Sequence, residues 1–194
     1  MAKPAIQTLR APRERFLEAT EQVVIVAGAS LFVALCARIT IPLPSTPVPL
    51  TVQNFGVLLV GLLLGSRRGF AALALYLAEG AMGMPVFNPI SGAAGIAPIT
   101  GITGGYLMVY PLVAALAGFV FERGARSFAR AAVSAVLAEI LLFAGGIGWL
   151  YVLTHSLARA AYLGLYWFIA AEVLKVMFAA AIAARWPRRS VVQP

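Results

Sequence analysis

The stretch Ala131–Thr154, AAVSAVLAEILLFAGGIGWLYVLT, runs for 24 residues with Glu139 as its single charge. A hydrocarbon core about 30 Å thick asks for roughly 20 helical residues, so this stretch reads as a membrane span. Outward from it lie five more apolar segments: Gln22–Ala37, Val52–Gly65, Phe70–Met84, Tyr106–Phe121 and Ala161–Ala184. The predicted fold is an all-α integral membrane protein with six transmembrane helices. They form a single membrane domain over residues 1–194, behind a short N-terminal segment, residues 1–21. Segments two and three are short and rich in glycine, and are expected to pair as a tight hairpin through Ser66-Arg67-Arg68-Gly69.

Composition agrees. Of 194 residues, 61% are hydrophobic before the 18 glycines are added, and 11% are charged, against about 45–50% apolar and 25% charged in a typical soluble domain. This excludes an ordinary soluble enzyme, a disordered tail and a disulfide scaffold. Lys and Arg number 15 against 7 Asp and Glu, a formal charge of +8. The basic residues sit in clusters between apolar runs, as orientation signals do, and not along a stripe that would track nucleic acid. With the N-terminus in the cytoplasm, one side holds Lys3, Arg10, Arg13, Arg15, Arg67, Arg68, Arg123, Arg126, Arg130, Arg185, Arg188 and Arg189. The other side holds only Arg38 and Arg159, and Lys175 falls inside the sixth segment. Excess positive charge on the cytoplasmic side therefore places both termini there. The lone Cys36 reads as a small residue in an apolar segment. Val33-Ala34-Leu35-Cys36 is a poor lipoprotein box, because Leu35 stands where a small residue is needed. The first segment can be read as a cleaved signal or as a retained helix, and the apolar segments behind it favour the latter.

The two long outer loops carry no charge. Ile39–Thr51 contains Pro42, Pro44, Pro47 and Pro49, which predicts a stiff loop that is neither helix nor ladder-paired strand. Pro85–Gly105 contains Pro85, Pro89 and Pro98 with Gly92, Gly95, Gly101, Gly104 and Gly105. Uncharged, partly stiff loops suit either a lid over a cavity or a position among lipid headgroups.

No Walker motif is present, and the only lysines are Lys3 and Lys175, so the chain has no P-loop of its own. One His and one Cys cannot make a His/Cys metal cluster. His155 and Ser156 are neighbours, but no nucleophile-elbow pattern surrounds any serine. No catalytic constellation, cofactor site or metal site is visible. What remains are ionisable groups at membrane depth, Glu79, Glu139, Glu172 and Lys175, which normally face a protein interior, a partner or a water-filled cavity. Glu172 and Lys175 are three apart and share a helix face. They are either a self-neutralising packing pair or the polar wall of a ligand site. Glu79 and Glu139 have no neighbour in sequence; each lines the same cavity or contacts another subunit. Ala27, Ser30, Ala34 and Ala37 form a small-residue stripe on the first span, suited to close helix approach inside the protein or against a partner. Gly61 and Gly65 continue that theme in the second segment.

Four motifs carry a resemblance. Pro47-Val48-Pro49-Leu50-Thr51-Val52-Gln53 and Tyr76-Leu77-Ala78-Glu79-Gly80-Ala81-Met82-Gly83-Met84-Pro85-Val86-Phe87 are the specific ones, followed by Thr103-Gly104-Gly105-Tyr106-Leu107 and Glu172-Val173-Leu174-Lys175. Together, in order from about Val23 to Ala184, they resemble the biotin-specific S component of energy-coupling-factor transporters, the BioY family. The resemblance implies a six-helix protein in the cell membrane of a prokaryote that binds biotin from outside. It also implies partners, a transmembrane coupling subunit and two cytoplasmic ATPases, that supply the energy the missing P-loop does not. Glu172 and Lys175 match the family's ligand-contacting pair; Gln53, Asn88 and Tyr106 match positions near the first outer loop, the second outer loop and the start of span four. The stripe Ala27, Ser30, Ala34, Ala37 resembles the family's docking face for the coupling subunit. The chain departs from the pattern in having Glu172 where Asp is usual. It also has Trp167-Phe168-Ile169-Ala170-Ala171 where Pro and Gly are usual, and Ser30 where Ala is commoner. Two other functions are weighed beside this one: a stand-alone proton-linked carrier using Glu79 or Glu139, and a small membrane enzyme with a buried acid.

Overall fold

The structure, a computed structural model, describes residues 12–91 and 94–186. Lys3, Arg10, Gly92, Arg188 and Arg189, named above, lie outside the described residues. Each of the six apolar segments is helical. Helix α1 spans Pro12–Arg38, α2 Gln53–Leu64, α3 Ser66–Ala81, the short α4 Ala97–Thr100 in the second outer loop, α5 Gly104–Glu122 and α6 Phe128–Thr154. The last segment is composite: α7 Leu157–Ala161, a π turn Tyr162–Tyr166, and α8 Ile169–Arg185. Among the described residues three stretches are long and apolar enough to cross a membrane, Leu17–Arg38, Gly104–Glu122 and Phe128–Thr154; the last segment makes a fourth if its bent halves count as one span.

Helix α5 lies against α6, α3 and α2, while α8 packs on α6 and α2, and α1 covers α3 and α2. Helix α2 is therefore enclosed, and its residues Gln53, Asn54 and Gly56 through Leu62 are buried. Protein surrounds it on nearly every side, so twelve residues, about 18 Å of helix, suffice where a lipid-facing helix would need the full bilayer thickness. Close approach is set by Gly61: a Cβ there would lie 2.4 Å from the Ala114 carbonyl oxygen of α5.

Four expectations need correction. Helix α1 begins at Pro12, ten residues before the apolar segment, because the Arg, Glu, Leu and Ala residues there are good helix formers although the sustained apolar run has ended. The α2–α3 hairpin turns on Gly65 alone. Its φ of 84° and ψ of 177° place it in a region open essentially to glycine, and Ser66 to Gly69 already form the first turn of α3. Glu122 closes the turn by accepting the Ser66 N–H at 3.1 Å. The proline-rich outer loop is laddered at its ends, where Thr40–Ile41 (β1) pairs antiparallel with Leu50–Thr51 (β2). Its four prolines all fall between the two strands, so no ladder bond is lost. The sixth segment is not one rod: its halves meet at 48°.

Arg67, Arg68, Arg123, Arg126 and Arg185 gather at one end of the bundle, at the α2–α3 and α5–α6 junctions and the end of α8. Arg68 donates to Gln22 of α1 at 2.7 Å and Arg126 to the Trp186 carbonyl at 3.1 Å, tying this end together. Both outer loops, with Arg38 and Arg159, lie at the other end.

Candidate functional site

A cavity of about 450 Å³ opens beneath the two outer loops, within the roughly 300–1,000 Å³ of small-molecule sites. Pro47, Val48 and Pro49 from the first loop and Phe87, Asn88, Pro98 and Ile102 from the second form its outer side. The inner wall comes from α2, α5, α6 and α8. Gln53, Asn88, Tyr106, Glu172 and Lys175, more than a hundred residues apart at the extremes, all line it.

The deep wall is a charged network. Lys175 Nζ donates to Glu172 Oε1 at 2.7 Å. Glu172 Oε2 accepts from Asn54 Nδ2 at 2.8 Å, and the same nitrogen donates to Glu139 Oε1 at 2.5 Å. Asn54, Glu139 and Glu172 are all buried. Charges at this depth persist only when paired and hydrogen-bonded; Glu172 has both Lys175 and Asn54, whereas Glu139 has the Asn54 amide alone.

The other polar residues are held by the fold. Gln53 Nε2 donates to the Tyr76 hydroxyl at 2.9 Å, which donates to the Val86 carbonyl at 3.0 Å. Gln53 retains its carbonyl oxygen and second N–H for a ligand. Asn88 accepts the Ile90 N–H at 2.9 Å, an Asx turn that shapes its loop. Tyr106 donates its hydroxyl to the Gly164 carbonyl at 2.7 Å and sets its ring edge-on to Phe143, centroids 6.4 Å apart. It therefore presents the cavity with ring surface. The neighbouring Leu163 carbonyl accepts from Thr46 at 2.7 Å. The π turn releases carbonyls from the helical ladder, and in a membrane these need partners; Tyr106 and Thr46 supply them and fasten α5 and the first loop to the break. Phe87 seats the second loop by an edge contact on Tyr76, centroids 5.3 Å apart at 80°.

Sequence reasoning missed Asn54, Thr51, Thr103, Tyr110 and Phe168, which also line the cavity. Asn54 carried a signal, a second polar residue in an apolar segment next to Gln53, and Thr51 and Thr103 stand within the motifs quoted above. Glu79 and Glu139 do not line the cavity and find partners within the chain. Glu79 accepts from Ser30 Oγ at 2.5 Å, and Glu139 from Asn54. The small-residue stripe is divided between the interior and the surface. Ser30, Ala34 and Ala37 are buried against the protein's own helices, and only Ala27 is exposed. A narrow strip of small residues on a two-faced helix fits internal packing at its three buried positions. His155 and Ser156 serve as caps: His155 ends α6 in the left-handed conformation, φ 53°, and Ser156 accepts the Arg159 N–H at 3.4 Å.

Three comparisons bear on this geometry. The family model described as "BioY family" matches residues 7–191. "Biotin transporter BioY" of Thermotoga maritima is 37% identical over 166 residues, 84% of this chain and 95% of that protein. "Probable biotin transporter BioY" of Pyrococcus horikoshii is 36% identical over 164 residues, 82% of this chain and 94% of that one. Among solved structures, "Crystal structure at 2.1 A of the S-component for biotin from an ECF-type ABC transporter" matches with a TM-score of 0.78 at 23% identity, covering 87% of this chain and 92% of that one. The fold is thus that of an S component, and the motifs around Gln53, Glu79, Tyr106 and Glu172 fall within the matched residues. This integral membrane protein belongs to the BioY family.

Proposed function

We propose that this chain is the biotin-capture subunit of a vitamin uptake transporter, not an enzyme. One observation carries the reading: five residues from four separate segments, Gln53, Asn88, Tyr106, Glu172 and Lys175, converge on one outward-lying cavity. Biotin has a ureido ring with two N–H donors and a carbonyl, an apolar sulfur ring and chain, and a carboxylate. An apolar cavity with a few placed donors and acceptors suits such a molecule. Gln53, Asn88, Glu172 and Lys175 supply polar contacts, and Tyr106 a flat apolar surface. Family membership supports a role beside a transmembrane coupling subunit and two cytoplasmic ATPases. The face available to that subunit on α1 is the exposed one around Ala27, Leu31 and Leu35. Calorimetric titration of the detergent-purified protein is expected to show one biotin site per chain, with far weaker heats for thiamine or riboflavin. Strong binding of another vitamin without biotin heat would overturn the assignment. Labelled-biotin uptake in an auxotroph, with and without co-expressed coupling subunit and ATPases, separates this reading from a stand-alone carrier.

A further inference from the structure

A single amide nitrogen, Asn54 Nδ2, holds two carboxylates, Glu139 at 2.5 Å and Glu172 at 2.8 Å. Asn54, Glu172 and Lys175 line the cavity; Glu139, only 7% exposed, stands behind them on α6 and does not. Asn54 Oδ1 and Glu139 Oε2 have no hydrogen-bond partner among the described residues. The two ends of a side-chain amide are nearly equal in size, so surrounding acceptors decide which way it faces. Turning Asn54 over would set Oδ1 against two carboxylates at once. We propose that Glu139 is a positioning residue: it locks the Asn54 amide, and through it the rotamer of Glu172 and the placement of Lys175, without touching the ligand.

The inference rests on the cavity being the biotin site, and its test separates the two claims. In the full-length purified protein, Glu139→Leu removes the acceptor and is expected to weaken biotin binding about tenfold or more, equivalent to ~1.4 kcal/mol. Glu139→Gln keeps a carbonyl oxygen for Asn54 and is expected to stay within about twofold of wild type. Adding Glu139→Leu to Lys175→Met should cost several-fold less than Glu139→Leu alone, because both act on one pair. A purely structural Glu139 predicts additive losses instead. A ligand-free arm follows the Glu172 carboxylate stretch in the infrared, identified by its disappearance in Glu172→Gln. It should shift in Glu139→Leu and return in Glu139→Gln. If Glu139→Leu does not fold, Glu139→Ser, too short to reach Asn54, replaces it. Additive losses, unchanged affinity in Glu139→Leu, no rescue by Glu139→Gln, or an unmoved stretch would overturn the proposal. Absence of biotin binding by the wild type would sink the ligand reading only, and the infrared arm would still decide the role of Glu139.

Discussion

The hydroxyl of Tyr106 donates to the carbonyl oxygen of Gly164 at 2.7 Å, joining the first turn of α5 to the break in the last span. Tyr106→Phe keeps the ring against Phe143 but takes from the Gly164 carbonyl the hydroxyl that satisfies it. A loss of about 1–3 kcal/mol of stability is expected, seen as a lower melting temperature in detergent. Biotin affinity should fall by less than tenfold, because the surface facing the cavity is retained. Complete loss of binding with an unchanged melting temperature would mean that the hydroxyl contacts the ligand instead.

Lys175 and Glu172 meet at 2.7 Å on the cavity wall. Lys175→Met leaves two carboxylates around one amide with no cation beside them, a costly arrangement at membrane depth. Biotin affinity is expected to drop by at least about tenfold, or ~1.4 kcal/mol. The double change Glu172→Gln with Lys175→Met removes the charge imbalance and should fold better than the single one. Recovery of wild-type affinity in that double variant would show that the pair only packs.

Burial of Ala34 and exposure of Ala27 on the same helix make opposite demands. Ala34→Trp forces a large side chain between α1 and its neighbours, so low expression, low thermal stability and weak biotin binding should come together. Ala27→Trp should leave isolated binding near normal while reducing co-purification with the coupling subunit and ATP-dependent uptake. Normal uptake by Ala27→Trp would remove this face of α1 from the proposed docking surface.

Gly65→Ala tests the one-residue turn. The backbone there has φ 84° and ψ 177°, and an added Cβ would come within 1.7 Å of Glu122 Oε1. Glu122 can swing away, but only by abandoning the Ser66 N–H, and the backbone strain remains. A loss of about 1–3 kcal/mol is expected, measured by thermal unfolding in detergent. Glu122→Ala should lose less, since it leaves Gly65 unstrained; equal losses would show that the strain contributes nothing.

Much of the fold was legible along the chain because lipid imposes a one-dimensional rule. Apolar run length marked the six helical segments, and the clustering of Arg67, Arg68, Arg123 and Arg126 marked which ends lie together. Where the rule fails, protein replaces lipid as the solvent. Helix α2 is short because it is enclosed, and Gly65 turns the chain in one residue because Glu122, 57 positions away in sequence, caps the next helix. The break at Tyr162–Tyr166 left no proline behind to announce it. It is stabilised by hydroxyls from Thr46 and Tyr106, contributed by distant segments.

The site divides in the same way. Sequence by itself determined the residue types: a Glu172–Lys175 pair on one helical turn, Gln53 at the mouth of α2, Asn88 in the second loop and Tyr106 at the start of α5. Spacing three apart on a helix is a local fact, so that pair could be read without a fold. Which other residues join them is a matter of which helix faces turn inward, and only tertiary packing decides that. Packing turned Asn54 toward both Glu139 and Glu172, diverted the Tyr106 hydroxyl to Gly164, and placed Ser30 against Glu79 inside the bundle. A buried polar group must find its partner wherever the chain brings one within about 3 Å, and that distance is set by the fold.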